Sequence, residues 1–543
     1  MQDDTVHSDV RWRRFEHPVF FWFGAAACTA GVALHIPMYY SARSMGYRMV
    51  GMRPDAAMIV GMVLIGVGLI TALYGLLPSQ SRRIGERAAH IQVRALDDAR
   101  VRPQHVALLL VISIAIVIDA MKPATLAFVA PGMAKEYGLK AATNPHGGLP
   151  VSLLPLCGIG GTVLGSWMWG WLADRIGRRS SILFAGLLFV TTSICGAMPG
   201  FTWNLLMCFL MGIGVGGMLP ITFALLAETV PARHRGWLLV LVGGGAAGLG
   251  YILTSWLAGA LTPHYSWRIL WLIGLPTGLL FIALNRWIPE SPRFLLAAGQ
   301  RDEAEKVMRH FGAAVVTGED EAVHQAEQGR GGFREIFSRA FIGPSTAIII
   351  LAVGVGLITY GFQLWIPTNL QHLGYTAVNS DYIVRNASAI GLIPVLLAAA
   401  AYGFWSSKKT LFLAFALLAL TLVGFVIAGN SLAHQHGLLT ALLVIPLAGT
   451  SLLGAIAIVY ASEIYPTRIR SRGAGLAAGA TKTGGVLIIA LVVAATTTPS
   501  IALTAIIGVV PLVIGLVIFG WVARETRNRR LEEIIEDEQA LVS

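Results

Sequence analysis

Charge is what this sequence most lacks. Asp, Glu, Lys and Arg make up 13% of its 543 residues, about half the ~25% of a soluble domain, too little polar side chain to clothe cores of this size in water. Cysteine is also scarce. Cys28, Cys157, Cys195 and Cys208 all lie inside apolar runs, at spacings that suit neither a metal site nor a disulfide framework. The missing polar coat excludes a soluble enzyme and a disordered scaffold, and the missing cysteines exclude a disulfide-rich secreted domain. The apolar runs carry no nucleophile–base pair or metal-ligand set, so neither enzymatic activity nor a cofactor is expected. Apolar side chains are abundant, at 55%, and so is glycine, with 61 residues. That is the composition of helices packed closely in lipid, and a polytopic membrane protein is the expectation.

Fourteen apolar runs are long enough to span a bilayer core, which takes ~20 helical residues. Two come first, near 19–40 and 56–77, followed by a basic connector. Six more fall near 106–130, 150–173, 180–199, 203–227, 237–261 and 268–288, and a polar stretch follows. The last six fall near 343–366, 385–405, 410–429, 436–461, 473–496 and 500–522. The expected organisation is an extra hairpin with its linker (1–105), a six-helix bundle (106–288), a central loop (289–342), a second bundle (343–522) and a tail (523–543). A loop is expected around 313–330 and a short helix over Asn528–Gln539. Asp3, Asp4 and Asp9 dilute the leading charge, and the first run is long enough to span, so it does not read as a signal peptide.

The net charge of +11 would suggest nucleic acid in a soluble chain, but here the basic residues sit in short connectors, where they set topology. Alternate connectors carry Arg11, Arg13 and Arg14; Arg82 to Arg102; Arg175, Arg178 and Arg179; Arg233 and Arg235; Lys408 and Lys409; Arg468, Arg470 and Arg472. The intervening connectors carry few cations, such as Lys135, Lys140 and Arg385. Both termini and the central loop are therefore expected in the cytoplasm, with the chain in the inner cell membrane.

Ala227-Glu228-Thr229-Val230-Pro231-Ala232-Arg233-His234-Arg235 and Ser462-Glu463-Ile464-Tyr465-Pro466-Thr467-Arg468-Ile469-Arg470 resemble each other at a separation of 235 residues. Each puts a carboxylate at the end of the fourth span of a six-span group, then a proline stop, then arginines. Such parallel repeats imply two halves with a site at their interface.

At these residues the chain resembles the major facilitator superfamily. Gly170-Trp171-Leu172-Ala173-Asp174-Arg175-Ile176-Gly177-Arg178-Arg179 is similar to the signature between that family's second and third helices. Pro289-Glu290-Ser291-Pro292-Arg293 resembles the motif after the sixth helix of sugar porters, and Gly212-Ile213-Gly214-Val215-Gly216-Gly217-Met218-Leu219-Pro220 resembles the fourth helix of metabolite–proton symporters. The resemblance covers about 106–525 and implies an all-α fold of two six-helix bundles, here preceded by an extra hairpin, that works by alternating access. It also implies a cytoplasmic gate built from Asp174, Arg175, Arg178 and Arg179 with Glu228, Arg233, Arg235, Glu463, Arg468 and Arg470. The equivalent second-half loop, Gly403 to Lys409, lacks the carboxylate, so the latch is expected to be asymmetric, with its weight on Asp174.

Charges at mid-depth are sharper clues, since an ionisable group there costs several kcal/mol unless paired or facing a cavity. Asp119 lies midway along the first core helix with Lys122 at i+3, a spacing that allows a pair serving either as a proton site or as a static bridge. Many sugar porters carry an arginine before the glycines of the fourth helix, where this chain has Cys208, so Lys122 is expected to take over as partner. Lys482 in the eleventh core helix, with Lys122, makes the cavity basic and suited to a carboxylate. Tyr360, Gln363, Trp365, Asn369, Thr450, Ser451 and Tyr460 are candidates for hydrogen bonds and ring contacts. The function expected is proton-coupled uptake of a small organic anion, an aromatic or heteroaromatic acid. Sugar or polyol symport, drug efflux and a transporter-like sensor stand as alternatives.

Overall fold

Lipid offers no hydrogen-bond partners, so a chain of this composition must satisfy its backbone within helices. A computed structural model describes residues 17–78, 83–84, 96, 99–141, 144–313, 333–339, 341–465, 469–495 and 500–526. An N-terminal hairpin consists of α1 (Pro18–Met45) and α2 (Ala56–Leu76). The first bundle comprises α3 (Pro103–Tyr137), α4 (Leu153–Ile176), α5 (Arg178–Ala197), α6 (Phe201–Thr229), α7 (Arg233–Tyr265) and α8 (Ile269–Trp287). The second comprises α9 (Ile342–His372), α10 (Ala377–Phe404), α11 (Ser407–Ala428), α12 (His436–Ile464), α13 (Arg472–Ala495) and α14 (Ile501–Val522). Among the described residues there is no strand, only the isolated bridges Lys140–Pro150 and Ala141–Asn144.

Thirteen of these helices are long and apolar enough to cross a membrane. The other of the fourteen predicted runs is α4, a helix of 24 residues made less apolar by its glycines and tryptophans. α3 extends past both ends of its apolar run. Pro103 starts it where the missing N–H costs nothing, Pro123 and Pro131 are absorbed within it, and Gly138 ends it at φ 63°. The central connector holds two short helices, Pro292–Ala297 and Arg301–His310, where sequence suggested only a loop. The expected loop from 314 on and the tail helix Asn528–Gln539 lie outside the described residues.

The hairpin belongs to the first bundle. α1 and α2 pack on each other and on α5, which is buried along its whole apolar length. Its loop is tied down on the face away from the arginine-rich connectors. Tyr39 Oη donates to the Tyr265 carbonyl at 2.6 Å, and the Met49 N–H donates to Glu136 at 2.8 Å. Glu136 also pairs with the buried Arg268 at 2.8 Å and accepts from Trp267 Nε1 at 2.9 Å.

The tightest seam in the first bundle is α4 against α6. A Cβ at Gly212 would collide with the backbone of Gly158 and come within 2.9 Å of the Thr162 nitrogen, whereas at Gly160 it would meet nothing within 4 Å. Overpacking of this kind costs ~1–3 kcal/mol. Gly212→Ala is therefore expected to lower the melting temperature in detergent by several degrees and Gly160→Ala to leave it unchanged, as read by fluorescence-detected size exclusion after heating. Equal melting would refute the close seam.

Candidate functional site

Helices of both bundles bring polar groups to the seam between them. Asp119 on α3 is only 4% exposed, and its Oδ1 has no hydrogen-bond partner among the described residues. Of the two lysines that act on it electrostatically, Lys482 of α13, across the seam, acts more strongly than Lys122. Tyr360 of α9 is also within electrostatic reach of Asp119, and its ring lies against Gly485, one turn beyond Lys482.

The Asp119–Lys122 pair that sequence spacing allowed is not formed. Lys122 turns into the first bundle, donates to the Phe189 carbonyl at 3.3 Å, and sits 5.6 Å from the centre of the Phe189 ring. Gly274 of α8 leaves room for its ammonium. Neither lysine forms an ion pair with Asp119 among the described residues; both lie within its electrostatic reach, Lys122 from its own helix and Lys482 from across the seam.

Lys482 Nζ crosses the seam to the Gly216 carbonyl of α6 at 3.4 Å. That carbonyl is available because its helical donor would be residue 220, which is proline and has no N–H. Ser166 Oγ of α4 takes the same carbonyl at 2.7 Å. The Gln363 carbonyl in the break of α9 accepts from the Ile366 N–H, and Tyr251 Oη of α7 donates to it as well at 3.3 Å. Gln363's own amide is occupied by Thr450 Oγ1 at 2.7 Å and the Leu447 carbonyl at 3.2 Å. Trp365 Nε1, Asn369 Nδ2, Thr368 Oγ1 and Ser388 Oγ are buried without partners among the described residues. Ser451 is half-buried, and Tyr460 Oη is committed to the Arg524 carbonyl at 2.7 Å.

The arginine-rich face holds a separate network. Asp174 pairs with Arg178 at 2.9 Å, and Arg178 reaches Glu228 at 3.7 Å and the Ala173 carbonyl at 3.1 Å. Glu290 accepts from the N–H groups of Arg178 at 2.7 Å and Arg179 at 3.3 Å, capping α5. Burial pushes the Glu290 carboxyl above the usual range against the pull of these donors and Arg178. Gly177 has φ 94° and its missing Cβ makes room for the Glu290 carboxylate, so no other residue suits that turn. Ser291 Oγ donates to Glu228. Arg175 stacks on Trp171 at 3.8 Å, Arg235 donates to the Val230 carbonyl at 3.1 Å, and Arg233 is exposed.

The second bundle builds a counterpart without an aspartate. Glu525, after α14, accepts from the Ser407 N–H at 2.9 Å and from Ser406 Oγ at the start of α11. Thr526 Oγ1 and Tyr402 Oη donate to Glu463 at 2.6 and 2.7 Å. Arg468 and the Arg470 side chain lie outside the described residues. Sequence reading passed over Glu525, Thr526 and Tyr402. The signal was there in Glu525-Thr526 following the twelfth core helix as Glu290-Ser291 follows the sixth.

Two six-helix bundles meeting at a polar seam within a set of membrane-long helices define a membrane transporter. The chain belongs to the Major Facilitator Superfamily, whose family model matches residues 112–489, and it is a multi-pass membrane transporter and not an enzyme. It is 30% identical over 397 residues to the niacin transporter NiaP of Acinetobacter baylyi, covering 70% of this chain and 85% of that one. It is 29% identical over 380 residues to the 4-hydroxybenzoate transporter PcaK of Pseudomonas putida, covering 68% and 81%. Its fold is similar to that of the proton:xylose symporter XylE bound to 6-bromo-6-deoxy-D-glucose, with a TM-score of 0.63 at 21% identity over 81% of this chain and 99% of that one.

The position of Lys122 yields a prediction. Lys122→Met is expected to leave acid binding within about twofold of wild type, since its ammonium faces Phe189 and away from the seam. Isothermal titration with benzoate and nicotinate reads this directly, and a loss of tenfold or more would return Lys122 to the binding site.

Proposed function

We propose that this protein imports a small aromatic or heteroaromatic carboxylate together with a proton, with its arginine-rich face and both termini in the cytoplasm. The observation that carries this reading is Asp119, buried in a span with an unpartnered oxygen and within electrostatic reach of Lys482 across the seam. Lys482 cannot neutralise two carboxylates at once. When Asp119 is ionised it holds Lys482, and the empty seam is neutral overall. When Asp119 takes up a proton, Lys482 is released to meet the substrate carboxylate, with Trp365 Nε1 and Asn369 Nδ2 as further donors. Proton and acid then load together, and neither the loaded nor the empty seam leaves an unpaired charge in lipid. The names of the relatives, which transport niacin and 4-hydroxybenzoate, agree with that chemistry.

Sugar symport is the second reading, favoured by the fold's likeness to a xylose symporter. Against it, the Gln363 amide in the broken ninth helix is already consumed by Thr450 and Leu447.

Proteoliposomes with an inward proton gradient test the proposal against benzoate, nicotinate, glucose and inositol. Gradient-driven accumulation of an acid is expected. Asp119→Asn, fixed in the neutral state, is expected to abolish accumulation while retaining acid exchange. Lys482→Gln is expected to weaken acid binding about tenfold or more, the scale of a charge-assisted hydrogen bond. Wild-type affinity is expected to fall as pH rises, because deprotonated Asp119 competes for Lys482, and Asp119→Asn should bind independently of pH. Sugar uptake with inert acids would overturn the anion assignment.

A further inference from the structure

One buried carboxylate is not used above. Asp381 lies in the first turns of α10, 6% exposed, at the end of the molecule away from the arginine-rich face. It has no hydrogen bond or ion pair among the described residues. Its surroundings are the closed contact between the bundles. The next residue, Tyr382, packs its ring where a Cβ of Gly259 on α7 would stand. Tyr251, one helical face further along α7, is within electrostatic reach of Asp381 while its hydroxyl donates to the Gln363 carbonyl at the break in α9. Asp381 is thus largely buried where α7, α9 and α10 come together.

The groups that could neutralise it are placed elsewhere. On its own helix Arg385, at i+4, binds Asn386 Oδ1 at 2.7 Å and stacks over Tyr382 at 4.6 Å. His264 and Tyr265 on α7, His372 on α9, Tyr375 after it, His436 on α12, and Lys135 and the Glu136–Arg268 pair of the first bundle are other titratable or charged groups at this end, and none pairs with Asp381 among the described residues. The positive end of α10 favours an anion only within the first turn, and Asp381 is its fifth residue.

We infer that Asp381 is a proton-dependent latch on the outer gate: the contact of α7 and α9 with α10 closes over the neutral acid, and ionisation opens it. A carboxylate so largely buried without a partner is stabilised by taking up a proton or by regaining water. When the gate parts, Tyr382 leaves Gly259, Arg385 is released from its stack, and the ion can form a pair at i+4. Low outside pH therefore favours the closed gate and high pH the open one. The proton comes from the outer water as the gate closes and returns there when it reopens. That this gate is the outer one rests on the orientation proposed above; the link between protonation and closure does not.

The test is a distance between nitroxide labels at His264→Cys and Asn379→Cys, measured by pulsed electron resonance in nanodiscs with Cys157→Ala and no substrate. Removing His264 also removes one competing source of pH dependence. The distribution is expected to be short at pH 5.5 and to gain a longer population by pH 8. Asp381→Asn should stay short at both, and Arg385→Gln should move the midpoint up by about one pH unit or more, since it deprives the ion of its partner. A distribution in Asp381→Asn that still lengthens like wild type, or a wild type that never lengthens, would overturn the inference, and an unmoved midpoint in Arg385→Gln would overturn the role of the pair. If wild-type vesicles accumulate no acid while the labels still respond through Asp381, the import reading fails and the latch stands.

Discussion

Where the bundles touch, proline has stripped one carbonyl of its helical donor. In lipid a bare carbonyl must find a donor within the protein, so such an oxygen is a site that another helix is drawn to fill. Pro220 frees Gly216 for Lys482 and Ser166. Tyr251 in turn adds a second donor to the Gln363 carbonyl beside the Ile366 N–H. A bond between a side chain and such a carbonyl can be exchanged for one to water or ligand without unwinding either helix. Close glycine packing accompanies these bonds across the seam: Gly244 and Gly259 of α7 leave room for Leu452 of α12 and Tyr382 of α10.

The arginine-rich face is fastened by carboxylates. Glu290 is a fixed part of the first bundle, capping α5 from the residue that follows α8, and Glu525 does the corresponding work for α11 from beyond α14. Each bundle thus fastens its last helix to the start of its third with a half-buried glutamate, and Glu228 and Glu463 extend the two networks through Ser291 and Thr526. The two halves also meet on this face: Glu463 lies where a Cβ of Gly236 on α7 would stand.

Much of this was legible in the sequence. Apolar run length located every span, and the paired Glu–Pro–Arg segments announced the two halves. The carboxylate at mid-depth in α3 was visible as a charge in a run that should have none. The reach of Lys482 to Asp119 was not legible, because helical spacing reports which residues share a face and says nothing of what stands opposite. Lys122 satisfied the i+3 rule, yet the Phe189 carbonyl and the space at Gly274 offered it a nearer berth. Glu525 was missed for a related reason: a lone glutamate in a charged tail looks solvated until the helix start it caps is seen beside it. Asp381 was assigned to a connector because the apolar run begins four residues later, whereas α10 starts at Ala377 and carries it inside.

The hairpin alters the balance of the machine. With α1 and α2 laid over α5, the first body has eight helices to the second body's six, and all of the added perimeter faces lipid. Two bodies rocking against each other share their rotation in inverse proportion to the viscous drag each meets. The broader one is slowed more by the surrounding membrane and serves as the stator. Most of the angular travel then falls to the lighter half, the one that carries Lys482 and the break in α9.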